Sequence, residues 1–282
     1  MIDHGRFTVT TGAKSLELGP SPMVMGIVNV TPDSFSDGGV NFGVGEAVAT
    51  AKQMVADGAQ IIDVGGESTR PGADNLTLQH ELDRVLPVLI AIEKAGLDTL
   101  ISIDTRHALV ADQAVQSGAQ ILNDVSGLQA EPEMAEIAAA YDVPVIAMHW
   151  DQQRDTAVDI IDEIKRYFDR TLSIADTAGI GEDKLILDPG FGFAKSLEEN
   201  YILLRRLNEL TSFGLPLLCG TSRKSMIGKL LDVPPLERLA GTLATSVLAY
   251  QAGAHIFRVH DVKPNIEALQ IAAAAHYGPP KA

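Results

Sequence analysis

The chain has 282 residues, which accommodates either two domains of roughly 100–200 residues or one large α/β barrel. Hydrophobic residues make up 46% and charged residues 21%, so a sizeable core can form and disorder along the whole chain is excluded. Lysine and arginine total 22 against 37 aspartates and glutamates, and the net charge of −15 argues against a phosphate backbone or an anionic membrane surface as partner.

In chain order, the start Met1-Ile2-Asp3-His4 has no basic region followed by an apolar one, so no signal peptide is expected. Residues 6–19 read as a short hairpin turning at Gly12. Then β-rich apolar runs alternate with stretches of helical period. The runs are 24–30, 61–64, 100–104, 121–125, 143–149, 185–188, 216–220 and 256–260. They are nearly continuous in apolar residues, as suits strands covered on both faces. The helical stretches are 45–58, 78–95, 108–117, 132–141, 156–178, 197–210, 236–252 and 264–276, the last opening on Pro264 in its first turn. Several stop at a glycine directly before the next strand: Gly96, Gly118, Gly179 and Gly253.

Repeated strand-then-helix units predict an α/β fold of the (β/α)8 TIM-barrel type. It would be one domain over 1–282, with the N-terminal hairpin (1–20) capping the barrel bottom. A doubly wound open sheet is the alternative, but no Gly-x-Gly-x-x-Gly follows the first strand. Cys219, the only cysteine, falls inside the seventh strand as a small core residue, which excludes an internal disulfide and a Cys-rich zinc cluster. No apolar stretch approaches the roughly 18 residues of a membrane span, so a soluble, cytoplasmic protein is expected.

Polar residues recur where a barrel enzyme builds its site, at the C-terminal ends of the strands. They are Asn29, Asp63, Asp104, Asn123 with Asp124, His149, Asp188, Arg223 with Lys224, and Arg258 with His260. Singly, each reads equally as a hydrogen-bonded strand-end group, and Asp124 as a cap. Together they define the polar floor of a cleft. Glycine-rich loops surround it at 29–39, 65–72, 188–193 and 220–225. Arg70, Arg223, Lys224, Arg258 and His260 supply cations suited to phosphate. The ligand expected from these residues has an anionic end and a hydrogen-bonding ring read by Asp and Asn.

Two segments, Gly26-Ile-Val-Asn-Val-Thr-Pro-Asp-Ser-Phe-Ser-Asp-Gly-Gly39 and Asp63-Val-Gly-Gly-Glu-Ser-Thr-Arg-Pro-Gly72, closely resemble the signature segments of the dihydropteroate synthases. Ile103-Asp104-Thr105, Asn123-Asp124, Leu187-Asp-Pro-Gly-Phe-Gly-Phe193, Ser222-Arg-Lys-Ser225 and Arg258-Val-His260 resemble further motifs of that family, in its order. The likeness runs from about Met23 to the last helix. It implies a transferase of folate synthesis, the sulfonamide target, joining 6-hydroxymethyl-7,8-dihydropterin diphosphate to p-aminobenzoate. It further implies that Asp104, Asn123, Asp188 and Lys224 hydrogen-bond the pterin, that Met148 and Phe193 wall it, and that Arg258 stacks on it. Arg70, Arg258, His260 and Asn29 would meet the diphosphate, with Asn29 holding a bridging Mg²⁺. Thr69, Arg70, Pro71, Lys224 and Ser225 would shape the p-aminobenzoate pocket. Asp104, Lys224, Arg70 and Asp63 would carry catalysis, by an SN1-like substitution in which carboxylates offset a developing cation. The resemblance also implies a homodimer, with Leu243, Val247, Leu248, Ile266, Leu269 and Ile271 as candidate contacts; packing onto the barrel is the favoured reading for most of them.

Two departures from the family pattern stand out. Met148-His-Trp-Asp-Gln-Gln-Arg-Asp155 replaces the usual Met-His-Met-Gln-Gly and its proline-containing loop, which implies a shortened connection with an altered wall at Trp150. Ala194 stands where glycine is common, and an alanine favours negative φ, so an altered loop shape is expected. Three rival readings are a pterin barrel for methyl transfer, a non-catalytic pterin-binding homologue and a Lys224 Schiff-base aldolase. The Thr69-Arg70-Pro71 and Ser222-Arg-Lys-Ser225 segments argue against the first, and their presence disfavours the second.

Overall fold

The computed structural model describes residues 4–12, 14–30, 40–66 and 77–279, with the side chains of 40–42 left out. Strands β1 (Phe7–Thr11) and β2 (Lys14–Leu18) form the expected antiparallel hairpin. The following strands are β3 (Met23–Asn29), β4 (Ile61–Gly65), β5 (Leu100–Asp104), β6 (Ile121–Asp124), β7 (Val145–Met148), β8 (Leu185–Asp188), β9 (Leu218–Cys219) and β10 (Ile256–Val259). These eight pair in parallel in the order β8-β7-β6-β5-β4-β3-β10-β9. A bridge between Leu187 and Leu217 joins the two ends, so the sheet closes into a barrel.

Side chains alternate across the barrel wall with period two. The outward set, including Val24, Ile62, Ile103, Leu122, Val145, Leu187 and Phe257, packs beneath the helices in the main core. The inward set begins with one apolar layer near the start of the strands: Met25, Ile61, Leu100, Ile121, Ile146, Ile186, Leu218 and Ile256. The hairpin contributes Val9, Leu16 and Leu18 to that same layer, and it turns its polar alternates, such as Glu17, to solvent. The N-terminal mouth of the barrel is therefore plugged by hydrocarbon. Two or four residues further along most strands the inward positions become polar, with Met148 of β7 an exception, and there the site begins.

Helices α1 (Val40–Ala56), α2 (Leu78–Lys94), α3 (Ala108–Gln116), α4 (Pro132–Tyr141), α5 (Ile160–Ala178), α6 (Leu197–Arg206), α7 (Ser225–Leu231), α8 (Leu239–Gln251) and α9 (Val262–Tyr277) surround the barrel. Gly179 ends α5 at φ 81°, a left-handed conformation that glycine adopts without steric cost. Several expectations need correction, among them the starts of α1 at Val40 and of α8 at Leu239. Helix α5 starts at Ile160 rather than at 156, because Asp159 caps it by accepting from the Ile161 amide. The connection after β7 thus runs over 149–159. Helix α9 starts at Val262, which leaves Pro264 inside the first turn, where its missing N–H costs nothing. The 197–210 stretch is α6 followed by a 3-10 segment, Leu207–Phe213. Helix α7 was not expected at all; seven residues are too few to display an amphipathic period.

Of the candidate contact residues, Leu269 is buried in the core and Val247 and Ile266 pack against it. Leu248 and Ile271 are exposed. Among the described residues, no helix is long and apolar enough to cross a membrane.

Candidate active site

The inward side chains at the strand ends form one linked set. Asp63 in β4 is fully buried, and its Oδ2 accepts from Arg258 Nε of β10 at 2.6 Å and from Asn123 Nδ2 of β6 at 3.2 Å. Arg258 Nη2 donates to Asp104 Oδ2 of β5 at 2.6 Å. One guanidinium therefore ties two carboxylates, and through Asp63 an amide, across four strands. A buried ion pair is tolerated only with such close geometry, since desolvation of each charge costs several kcal/mol. Burial pushes the Asp104 carboxyl up to about 7, against the pull of Arg258, with Asp63 adding to the rise. Burial also works against the charge on Arg258, but Asp63 and Asp104 outweigh it and hold the guanidinium protonated. Asp63 lies beneath this floor as the support of Arg258 and Asn123.

Asp188 ends β8 opposite Met148 of β7. Its Oδ1 accepts from the Gly190 amide at 2.8 Å. Burial raises its pKa, with the Gly190 bond, Lys224, Arg258 and Lys195 opposing. Lys224 precedes α7, and its Nζ sits 4.0 Å from the centroid of the Phe193 ring, a cation–π contact. Trp150 packs against Phe193 with ring centroids 5.6 Å apart and planes tilted by 59°. The altered fifth loop thus supplies an aromatic wall beside Phe193, while Met148 remains buried at the strand end.

On the β9–β10 side, Ser222 Oγ lies 3.0 Å from His260 Nδ1 and accepts from the His260 amide at 3.2 Å. Arg223 is drawn away from the floor: its Nε and Nη2 form a fork on Asp261 at 3.0 and 2.6 Å. That corrects its expected place among the rim cations. Ser225 is exposed at the first turn of α7, and Asn29 is exposed at the end of β3. Thr69, Arg70 and Pro71, and the loop 31–39, lie outside the described residues.

Two polar strand-end residues have the plainer role. Asp124 caps a turn, accepting from the amides of Ser126 and Leu128 at 2.8 and 2.7 Å. His149 is fully buried and packs edge-on against Tyr167. Burial, then Lys195 and Arg154, push its pKa down to about 2, so it is neutral. Ala194 takes φ 47°, a left-handed conformation, against the preference of alanine for negative φ. Lys195, Arg154 and Asn200 also shape the site, and sequence reasoning missed their part. The only signal was the capping pattern Ser196-x-x-Glu199, which marks where α6 begins.

Known proteins agree with this geometry. A family model described as pterin binding enzyme matches residues 25–260. The dihydropteroate synthase of Escherichia coli K12 is 49% identical over 259 residues, 90% of this chain and 91% of that protein. A dihydropteroate synthase structure from Clostridium difficile, solved in the presence of pteroic acid, superposes with a TM-score of 0.89 at 46% identity, covering 93% of this chain and 99% of that one. The Xanthomonas albilineans enzyme with 4-aminobenzoic acid gives 0.91 at 39% identity, covering 98% and 100%. With barrel, strand-end floor and full-length likeness in agreement, the chain belongs to the dihydropteroate synthase family of pterin-binding enzymes.

Proposed function

We propose that the chain joins 6-hydroxymethyl-7,8-dihydropterin diphosphate to p-aminobenzoate, giving 7,8-dihydropteroate and diphosphate, by a dissociative substitution at the pterin methylene. The C–O bond to diphosphate breaks first, the amine nitrogen then forms the C–N bond, and its proton leaves to diphosphate or solvent. The observation that carries this reading is the Asp63–Arg258–Asp104 set with Asn123, within electrostatic reach of Asp188 and Lys224.

Each group has work suited to it. Asp188 and Asn123 offer acceptors to the donor-rich pyrimidine edge of a pterin. Arg258, held flat by two carboxylates, presents a guanidinium face on which a ring can stack, which favours stacking over a diphosphate contact. Phe193 and Met148 bound the ring, and Lys224 is held at the Phe193 face. Asp104 and Asp188 bring carboxyl groups to this floor, which in their ionised form offset a cation developing at the methylene. Asp63 acts by positioning Arg258 and Asn123. His260, Asn29 and Arg70 are assigned to the diphosphate, and Thr69, Arg70, Pro71, Lys224 and Ser225 to p-aminobenzoate.

Among the described residues there is no cluster of three or more His, Cys, Asp or Glu that could hold a metal. Asn29 offers one exposed amide oxygen at a strand end. That donor fits Mg²⁺, which keeps waters and takes its remaining ligands from substrate phosphates. When bound there it would neutralise the leaving diphosphate. A homodimer is proposed through the α8 and α9 faces, where Leu248 and Ile271 stand exposed. The direct test is incubation with the pterin diphosphate, Mg²⁺ and p-aminobenzoate, followed by mass spectrometry. Dihydropteroate is expected; a folded protein that binds pterin yet makes no product contradicts the reading.

A further inference from the structure

The loop between β8 and α6 carries Asp188 and Phe193, and the structure pins it at nearly every residue. A side chain at Gly190 (φ 70°) would collide with the His149 carbonyl oxygen, so the loop lies directly against the end of β7. The Gly192 amide donates to Asn200 Oδ1 at 2.7 Å, and Arg154 Nε donates to the Ala194 carbonyl at 3.1 Å. Arg154 is in turn held by Glu199 at 2.5 Å. At the centre is Lys195. Its Nζ meets His149 Nδ1 at 2.8 Å, the Gly190 carbonyl at 2.9 Å and the Phe193 carbonyl at 3.2 Å. All three acceptors belong to this loop or to the residue after Met148.

We propose that Lys195 is a positioning residue for the pterin: its amino group clasps the Asp188–Phe193 loop to the end of β7 and so sets where the pterin's acceptor and its aromatic wall stand. This rests on the functional reading above. Two further observations support it. Burial keeps the His149 ring neutral and draws Lys195 down to about 7, so the tautomer with Nδ1 bare can accept from the lysine. Ala194, at φ 47°, holds a left-handed conformation that is strained for an L-residue and persists only where neighbours over-determine it. Lys195 and Arg154 hold the carbonyls of Phe193 and Ala194, on either side of that strained peptide. Without them the loop relaxes, and Phe193 moves with it.

Lys195 touches no substrate in this account, so its loss separates the two substrates. In Lys195→Met, the Kd of 6-hydroxymethylpterin by titration calorimetry and the KM for the pterin diphosphate rise on the order of 10- to 100-fold, the scale of a displacement near 1 Å. The KM for p-aminobenzoate rises less, because only Lys224 of that pocket rests on the Phe193 ring and the rest is assigned to other loops. Thermal melting confirms the folded state at the assay temperature. Arg154→Met, which frees the Ala194 carbonyl, shifts the same constants in the same direction and decides the matter if Lys195→Met does not fold. Unchanged pterin affinity in a folded variant, or equal loss for both substrates, overturns the proposal. A wild-type protein that neither binds pterin nor makes dihydropteroate overturns the functional reading, and this one with it.

Discussion

Asp104 is pulled in two directions. Water exclusion favours its neutral form, while Arg258 at 2.6 Å and a developing cation favour the carboxylate. The balance leaves its pKa near 7, raised from 3.8. A protonated Asp104 cannot offset positive charge, so kcat/KM for the pterin diphosphate falls as pH drops through about 7. Asp104→Asn removes that inflection from the pH–rate profile. The stability sign is opposite. A carboxyl whose folded pKa is raised binds its proton more tightly in the folded state, so it contributes stability at low pH that is lost as pH rises through about 7. The melting temperature of Asp104→Asn accordingly declines less between about pH 4 and 7 than that of the wild type. The demand for charge at the site is met at a cost in stability, as is usual where function needs a buried group.

At the scale of elements, the strand ends were legible because the barrel rule turns a list of polar residues into a ring. Asp63, Asp104, Asn123, Asp188 and Arg258 all sit on inward positions, one or two alternations beyond an apolar plug. Period two within runs of only four to seven residues was hidden by the apolar outward face, so the runs read as continuous. Helix α7 and the true start of α5 were not legible. The first is too short for a period, and the second is set by a single cap at Asp159. Lys195 was hidden for another reason: next to a helix start it looks like a solvated lysine, and only the folded loop and the approach of His149 give it three acceptors. The hairpin plug makes a prediction of its own. Leu16→Ala removes part of the apolar layer at the end opposite the site, costing about 2–5 kcal/mol in denaturant unfolding with kcat unchanged. The fifth loop makes another. Trp150 is the only tryptophan in the chain and borders Phe193, so its emission reports the site, and 6-hydroxymethylpterin quenches it saturably. Emission indifferent to pterin would place Trp150 away from the ligand.

For the whole molecule, a net charge of −15 is compatible with anionic substrates because charge is not spread evenly. Potential inside a cleft is set by its own walls. Arg258 and Lys224 lie at the barrel mouth, and Arg223, although nearby, is spent on Asp261. The barrel keeps stability and chemistry at opposite ends: hydrocarbon and a hairpin at one mouth, a linked charge set at the other. That the strand-end floor performs pterinyl transfer is tested most directly by steady-state turnover to dihydropteroate in the wild type, Asp104→Ala and Lys224→Ala, each first shown to be folded by thermal melting. We predict turnover in the wild type and a fall of at least about 100-fold in each variant. Near-wild-type rates in either variant would contradict it.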